Sequence, residues 1–209
     1  MPSPDFALYL VTDRTQTRGR DLLWVLEQAL DAGVKAIQLR EKDLSGKELF
    51  ELALKIQQLC ERYTAQLFIN DRVDVALAVD AAGVQLSKYA LPVTTARALL
   101  GPKKLIGVST HTPEEAETAE LNGADFILFG PVYFTPSKAS YGAPQGIAPL
   151  QKTLAKTSLP VYAIGGIKAE NVPEIMGQTT IRGIALISAI LNAADPKNAA
   201  HALLMLLTR

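Results

Sequence analysis

The chain has 209 residues, 48% of them hydrophobic, and its 21 Lys and Arg residues balance its 21 Asp and Glu residues. This length and apolar content predict a soluble globular protein with a single domain over residues 1–209. A formal net charge of zero argues against a general binder of nucleic acid or acidic membranes. With one cysteine, Cys60, and neither a signal-peptide pattern nor a long apolar run, the sequence predicts a cytoplasmic protein.

Eight short apolar segments recur along the chain and alternate with segments of helical periodicity. This alternation is typical of parallel βα units, and strands that are apolar throughout are typical of a sheet covered on both faces. Such a pattern fits a doubly wound open sheet or a (β/α)8 barrel, and the strand count favours the barrel. The predicted strands are residues 6–12, 36–39, 67–70, 83–86, 105–109, 126–129, 161–164 and 183–187.

Helix starts are also marked in the sequence. Ser45 followed by Glu48 predicts a capping box, and Thr112 followed by Pro113 and Glu115 predicts the same arrangement with proline at the first helical position. Asp195 before Pro196 predicts the start of the last helix.

The reactive groups of a (β/α)8 barrel lie at the carboxyl ends of its strands, so the polar residues after each apolar segment are the candidates. Gln38, Arg40 and Lys42 follow the second segment and would face one side if the extended conformation continues. Two cations and an amide on one side suit a phosphate or diphosphate. The alternative is a solvated loop in which Arg40 pairs with Glu41.

The third segment ends in Asn70, Asp71 and Arg72, where a magnesium ion could link the protein to a phosphorylated substrate. Asp71 is the natural metal ligand of the three. Its alternative role is to cap the N-terminus of the following helix, because Asn and Asp are favoured at that position.

Ser109 and His111 follow the fifth segment, and a hydroxyl and an imidazole there could bind phosphate and transfer a proton. The alternative for His111 is a position beside the Thr112 cap with no chemical role. His201, the other histidine, is predicted to be a surface residue of the last helix, and the spacing supports no Ser-His-Asp or Cys-His arrangement.

The loops after the last three strands offer further anion-binding groups. Residues 130–138 carry the Thr135 and Ser137 hydroxyls and the Lys138 ammonium group, and we expect residues 135–149 to form a mobile loop over the site. Gly166 and Ser188 follow the seventh and eighth strands, where backbone N–H groups of a barrel often bind phosphate. The alternative for the glycines at 165 and 166 is close packing of the backbone. Together the residues predict two anion subsites at one barrel mouth.

These stretches resemble the thiamine phosphate synthase/TenI family, whose members are compact (β/α)8 barrels, over nearly the whole chain. The matching segments are residues 9–13 (YLVTD), 38–42 (QLREK), 70–76 (NDRVDVA), 107–112 (GVSTHT), 129–132 (FGPV), 135–138 (TPSK) and 163–167 (AIGGI).

The resemblance implies a synthase of thiamine biosynthesis that joins hydroxymethylpyrimidine diphosphate to a thiazole phosphate carboxylate and releases pyrophosphate and carbon dioxide. It implies that the diphosphate is held by Gln38, Arg40, Lys42, Asn70, Ser109 and Lys138. It implies that Thr135, Ser137, Gly166, Ile187 and Ser188 hold the thiazole phosphate, and that Asp71 holds Mg2+. Arg40 and Lys138, which would stabilise charge on the leaving group, and His111 are the implied catalytic residues.

One position departs from the family pattern. Ala90 stands where the synthases usually carry a second aspartate that binds magnesium, and Lys88 adds a positive charge nearby. A methyl group cannot bind a hard cation, so we expect weakened Mg2+ affinity, with Lys88 as an alternative direct contact to the diphosphate.

Other functions remain open at this point. TenI-like thiazole tautomerases also lack that aspartate, and His111 matches their proton-handling histidine. The diphosphate-binding set would be unnecessary for tautomerisation, which ranks the synthase first. A non-catalytic thiamine-pathway binding or regulatory protein and an unrelated phosphosugar isomerase are the further alternatives, and a homo-oligomer is possible.

Overall fold

A computed structural model describes residues 3–135 and 144–208. Its eight parallel strands pair in chain order and close into a barrel through β8 and β1, which confirms the predicted (β/α)8 barrel and excludes the open sheet. The strands are β1 Leu8–Val11, β2 Ala36–Leu39, β3 Gln66–Asn70, β4 Gly83–Leu86, β5 Leu105–Thr110, β6 Phe126–Phe129, β7 Val161–Ile164 and β8 Gly183–Leu186. Each differs from its predicted bounds by no more than two residues at either end.

Helices cover the outside of the barrel. In the described ranges they are α1 Leu22–Asp31, α2 Gly46–Arg62, α3 Val73–Ala78, α4 Val93–Leu100, α5 Pro113–Leu121, α6 Ile147–Leu154, α7 Val172–Gln178, α8 Ser188–Leu191 and α9 Pro196–Leu207. A short 3-10 helix, Arg14–Gln16, follows β1. None of the described helices is both long enough and apolar enough to cross a bilayer.

The predicted helix caps are found in the structure, with one correction. Ser45 and Glu48 form a reciprocal capping box, and Thr112 and Asp195 each accept a hydrogen bond from the first turn of their helices. A second complete box was expected at Thr112, and this prediction is wrong. The Glu115 carboxylate accepts a hydrogen bond from the backbone N–H of His111, at 2.6 Å, because the chain before α5 turns that amide towards it.

Aromatic rings fill the lower half of the barrel interior. The side chains are Phe6, Tyr9, Phe68, Phe126 and Tyr162, and the centroids of their contacting rings lie between 4.8 and 6.4 Å apart. Tyr162 donates a hydrogen bond to the Phe6 carbonyl oxygen at 2.8 Å, which satisfies its buried hydroxyl. The N-terminal end of the barrel is therefore a packed core, and a ligand can enter only from the opposite end.

Candidate functional site

The inward-facing side chains change from aromatic to polar towards the carboxyl ends of the strands. Side chains alternate along a strand, so Asn70 shares the inner face with Phe68, and Ser109 shares it with Leu105. The Gln38 Nε2 donates a hydrogen bond to the Asn70 Oδ1 at 2.9 Å. A layer of amide and hydroxyl groups thus forms the floor of the barrel mouth, which is where the sequence placed the site.

Arg40 lies at the rim directly after β2. Its backbone N–H donates to the buried Thr12 Oγ1 at 2.9 Å, so β1 and β2 together fix where its side chain begins. The predicted alternative, an Arg40–Glu41 pair, is wrong. The buried Glu41 carboxylate accepts instead from the Arg14 backbone N–H, at 3.1 and 3.2 Å, and from the Arg14 Nη1 at 3.1 Å.

The rim cations therefore remain available to a ligand. Among residues 3–135 and 144–208, neither Arg40 nor Lys42 forms an ion pair, and Arg40 is half-buried while Lys42 is exposed. The pKa of Asp13 is lowered: partial burial raises it, but hydrogen bonds from Thr15 and Gln16 and the positive charge of Arg40 outweigh that effect. The positive charge of Arg40 thus reaches Asp13, which follows the neighbouring strand β1.

Asp71 connects the ends of β3 and β4. Its Oδ1 accepts from the Ser87 backbone N–H at 2.7 Å and its Oδ2 from the Ser87 hydroxyl at 2.8 Å, while its own backbone is left-handed at φ 59°. The alternative that Asp71 caps α3 is wrong, because Arg72 holds the cap position without a side-chain hydrogen bond. Asp71 is fixed by tertiary contacts instead, with its carboxylate at the mouth.

Asp71 can still be a metal ligand, but the protein supplies few other ligands around it. Each carboxylate oxygen keeps a lone pair beyond its bond to Ser87, and Mg2+ is often held by one or two carboxylates plus substrate phosphates. Ala90 offers no oxygen from its side chain, and no group of three His, Cys, Asp or Glu side chains suited to a metal occurs in the described parts of the chain. The residues fit an ion shared between one carboxylate and a bound diphosphate.

His111 is held in a defined orientation at the rim. Its ring Nδ1 lies 2.6 Å from the Gly130 carbonyl oxygen, which can only accept a hydrogen bond, so Nδ1 carries the proton. In the neutral ring Nε2 is then the basic nitrogen. Among residues 3–135 and 144–208 the His111 Nε2 has no hydrogen-bond partner, so this nitrogen can act as a proton acceptor.

The glycines after β7 pack closely against the loop after β6. Gly166 has φ 63°, and a Cβ atom there would lie 2.4 Å from the Phe134 carbonyl oxygen. A Cβ atom on Gly165 would lie 2.6 Å from the Cα atom of Pro131. Close packing thus explains why residues 165 and 166 are glycines. The same packing holds the loops after β6 and β7 beside each other at the mouth.

The remaining predicted site residues are placed as follows. Ile187 is half-buried against the inner core and Ser188 is the exposed first residue of the short helix α8. Thr135 is half-buried at the end of the described segment after β6. Ser137, Lys138 and residues 136–143 of the predicted mobile loop lie outside the described residues.

Gly166→Ala is expected to lower the free energy of unfolding by about 1–3 kcal/mol, because the new methyl group meets a backbone oxygen and the left-handed φ disfavours a side chain. Displacement of the two loops should also raise the KM for the thiazole phosphate. Chemical denaturation and steady-state kinetics check both effects. Gly177→Ala, at a helical glycine of α7 with open space around it, is the control; it should leave the KM unchanged and should not lower the free energy of unfolding.

A polar mouth with a cation at its rim is typical of (β/α)8-barrel enzymes that act on small phosphorylated molecules. The family model described as thiamine monophosphate synthase matches residues 8–190. The chain belongs to the thiamine monophosphate synthase family.

Relatives match over nearly their full length. A protein of Geobacter sulfurreducens is 53% identical over 207 residues, which cover 99% of this chain and 97% of that protein. The thiamine-phosphate synthase of Desulfitobacterium hafniense is 42% identical, with 95% of this chain and 96% of that protein covered. A solved structure, the thiamine phosphate pyrophosphorylase from Pyrococcus furiosus, superposes with a TM-score of 0.87 and 38% identity, covering 97% of this chain and 95% of that one.

Proposed function

We infer that this chain acts as a thiamine-phosphate synthase, a transferase that joins hydroxymethylpyrimidine diphosphate to a thiazole phosphate carboxylate. The observation that carries this conclusion is the whole-chain match to thiamine-phosphate synthases, at 42% identity for the relative from Desulfitobacterium hafniense. The barrel mouth supports it, because Arg40 directly follows β2 beside the hydrogen-bonded amides of Gln38 and Asn70, and Lys42 lies exposed in the turn that comes next. A diphosphate is the kind of group that such a mouth suits.

The reaction begins by ionisation. The bond between the pyrimidine methylene carbon and the diphosphate oxygen breaks, and its electron pair leaves with pyrophosphate. The thiazole nitrogen donates its lone pair to the resulting pyrimidine-stabilised cation and forms the new C–N bond. The thiazole carboxylate leaves as carbon dioxide, and the ring carbon that carried it keeps the electron pair of the broken C–C bond and takes up a proton. Negative charge develops on the leaving group, so preorganised cations at the mouth accelerate the step.

The subsites are assigned in the same way as in the sequence prediction. The diphosphate is proposed to contact Gln38, Arg40, Lys42, Asn70, Ser109 and Lys138. The thiazole phosphate is proposed to contact Thr135, Ser137, Gly166, Ile187 and Ser188. The adjacent loops after β6 and β7 support this second assignment, because their close packing brings Gly166 beside the segment that leads to Thr135.

We propose that Asp71 holds Mg2+ together with the diphosphate. When bound, the ion neutralises charge on the leaving group. The double hydrogen bond from Ser87 orients the carboxylate for this role, as second partners of metal ligands commonly do.

The second candidate, a thiazole tautomerase, is favoured by one observation: the Gly130 carbonyl oxygen holds the His111 Nδ1, and the Nε2 has no hydrogen-bond partner in the part of the chain that the structure describes. Supplying both substrates with Mg2+ and measuring thiamine phosphate after oxidation to fluorescent thiochrome tests the synthase. The thiazole isomer alone, followed by ultraviolet absorbance, tests the tautomerase. Coupled product is expected; isomerisation alone would select the tautomerase, and ligand binding without either product would select a non-catalytic binder.

Ala90→Asp is expected to lower the Mg2+ concentration needed for half-maximal rate by about tenfold, because it adds a second carboxylate to the turn that Ser87 begins. The measurement is a Mg2+ titration of the coupled reaction. Tyr89→Asp places the same charge at an exposed position of that turn and is the control. An unchanged Mg2+ requirement in Ala90→Asp would contradict the proposed metal position.

A further inference from the structure

Gln85 is a buried polar residue to which the proposed reaction assigns no role. It is the one polar side chain of β4, where it faces the barrel interior and is 0% exposed. The neighbours Val84 and Leu86 face the helices and belong to the outer core. An apolar side chain at position 85 would continue the core without burying any polar group.

The barrel makes specific room for this amide. In the strand register Gln85 lies between Asn70 of β3 and Gly107 of β5. A Cβ atom on Gly107 would lie 2.3 Å from the Gln85 Oε1, so any larger residue at 107 would displace the amide. The space for Gln85 therefore depends on the backbone of the adjacent strand.

Packing alone does not explain why an amide is present. The Gln85 Oε1 is buried and has no hydrogen-bond partner within the described parts of the chain. Burying a carbonyl oxygen without a partner lowers stability, and an apolar residue of the same shape would avoid that cost. A locally unfavourable residue at the edge of a ligand-binding mouth is typical of a functional position.

The other end of the amide acts on Ser109. The Gln85 Nε2 donates a hydrogen bond to the Ser109 Oγ at 3.1 Å, and Ser109 is half-buried at the mouth. A hydroxyl group can accept a hydrogen bond at its oxygen and donate its one proton at the same time. Because Gln85 donates to the Ser109 oxygen, the Ser109 proton is not used in that bond. The Ser109 O–H can then donate towards the mouth.

The neighbouring pair follows the same rule. The Gln38 Nε2 donates to the Asn70 Oδ1. The NH2 group of Asn70 is therefore the part of that side chain that can donate a hydrogen bond to a ligand. Each of the two interior glutamines thus donates a hydrogen bond to the acceptor oxygen of a side chain at the rim. The rim presents donors, which are the groups that an anion requires.

We propose that Gln85 is a positioning residue that fixes the Ser109 hydroxyl as a hydrogen-bond donor to the diphosphate. The inference rests on the proposed function only for the identity of that anion. Gln85 itself does not touch the substrate, and it acts through the orientation of Ser109.

A double-mutant cycle tests the inference. Inorganic pyrophosphate is titrated calorimetrically, with Mg2+ present, into the wild type, Gln85→Met, Ser109→Ala and the double variant. Each single variant is expected to bind pyrophosphate about five- to tenfold more weakly, and the double variant no more weakly than Ser109→Ala, because Gln85 acts only through that hydroxyl. In Gln85→Met the KM for the pyrimidine diphosphate should rise while the KM for the thiazole phosphate stays unchanged.

Gln66→Met is the matched control. Gln66 lies at the first position of β3, at the opposite end of the barrel, and its Oε1 is likewise buried without a partner among the described residues. This variant should change thermal stability without changing pyrophosphate affinity.

The inference is overturned if Gln85→Met binds pyrophosphate like the wild type, or if the two single effects multiply in the double variant. If Gln85→Met does not fold, Ser109→Ala still tests the inference. Unchanged pyrophosphate affinity in Ser109→Ala would show that the Ser109 hydroxyl is not a donor to the anion. Failure of the proposed function gives a different result: the wild type would form no thiamine phosphate in the coupled assay, whatever the double-mutant cycle shows.

Discussion

Arg40→Ala is expected to lower kcat/KM for the pyrimidine diphosphate by about 100- to 1,000-fold, the usual cost of removing a preorganised group that stabilises developing charge. Arg40 is half-buried and, among the described residues, has no ion pair that would hold it away from a ligand. Its position depends on the hydrogen bond between its own backbone and Thr12, which the substitution leaves in place. Steady-state kinetics and a thermal melt separate the loss of activity from any loss of stability.

Two further variants sharpen this prediction. Arg40→Lys keeps the charge and loses the planar fork, so it should fall between the wild type and Arg40→Ala. Arg182→Ala removes an arginine immediately before β8, at the closed end of the barrel, where it pairs with Asp5. It should leave kcat/KM unchanged. A wild-type kcat/KM in Arg40→Ala would show that Arg40 does not stabilise charge on the leaving group.

Asp71→Asn is expected to lower the rate at limiting Mg2+ by about 100-fold, because an amide is a much poorer ligand for a hard cation than a carboxylate. The amide oxygen can still accept from the Ser87 backbone N–H, so the loop should keep its place. The measurement is a Mg2+ titration of initial rates, with far-ultraviolet circular dichroism to confirm folding.

Ser87→Ala is the control for Asp71→Asn. It removes the 2.8 Å hydrogen bond to Asp71 and keeps the carboxylate, so its effect on Mg2+ dependence should be no more than about tenfold. Equal Mg2+ curves for the wild type and Asp71→Asn would show that Asp71 does not hold the ion.

The strands could be predicted closely because their pattern is local. A buried parallel strand is mostly apolar, and the segments at 36–39, 83–86, 126–129 and 161–164 have the bounds found in the structure. The barrel followed from the number of such segments. The same pattern predicts that the polar groups after the strands of a barrel share one mouth, and this is why the sequence points to a site there.

The partners of the site residues could not be predicted in the same way. Glu41 was weighed as a partner of the adjacent Arg40, yet it binds Arg14, which is 27 residues away and reaches it only because β1 and β2 are neighbours in the barrel. Asp71 was weighed as a helix cap, yet it binds Ser87 across β3 and β4. Such choices depend on strand register, which the sequence pattern does not specify.

Gln85 was missed for a different reason. The sequence candidates are the polar residues that follow each strand, whereas Gln85 lies inside β4 at an inward-facing position. One signal was present in the sequence, a single amide in an otherwise apolar strand. An inward-facing amide one layer below the rim is a place to look for residues that orient the ligand contacts above them.

The central claim is that two phosphorylated groups meet at one barrel mouth, and a crystal structure with thiamine phosphate, pyrophosphate and Mg2+ tests it most directly. The account predicts pyrophosphate against Arg40, Lys42 and Ser109, and the phosphate of the product beside Gly166 and Ser188. Pyrophosphate bound away from Arg40 and Asp71, or a product phosphate outside the mouth, would contradict it.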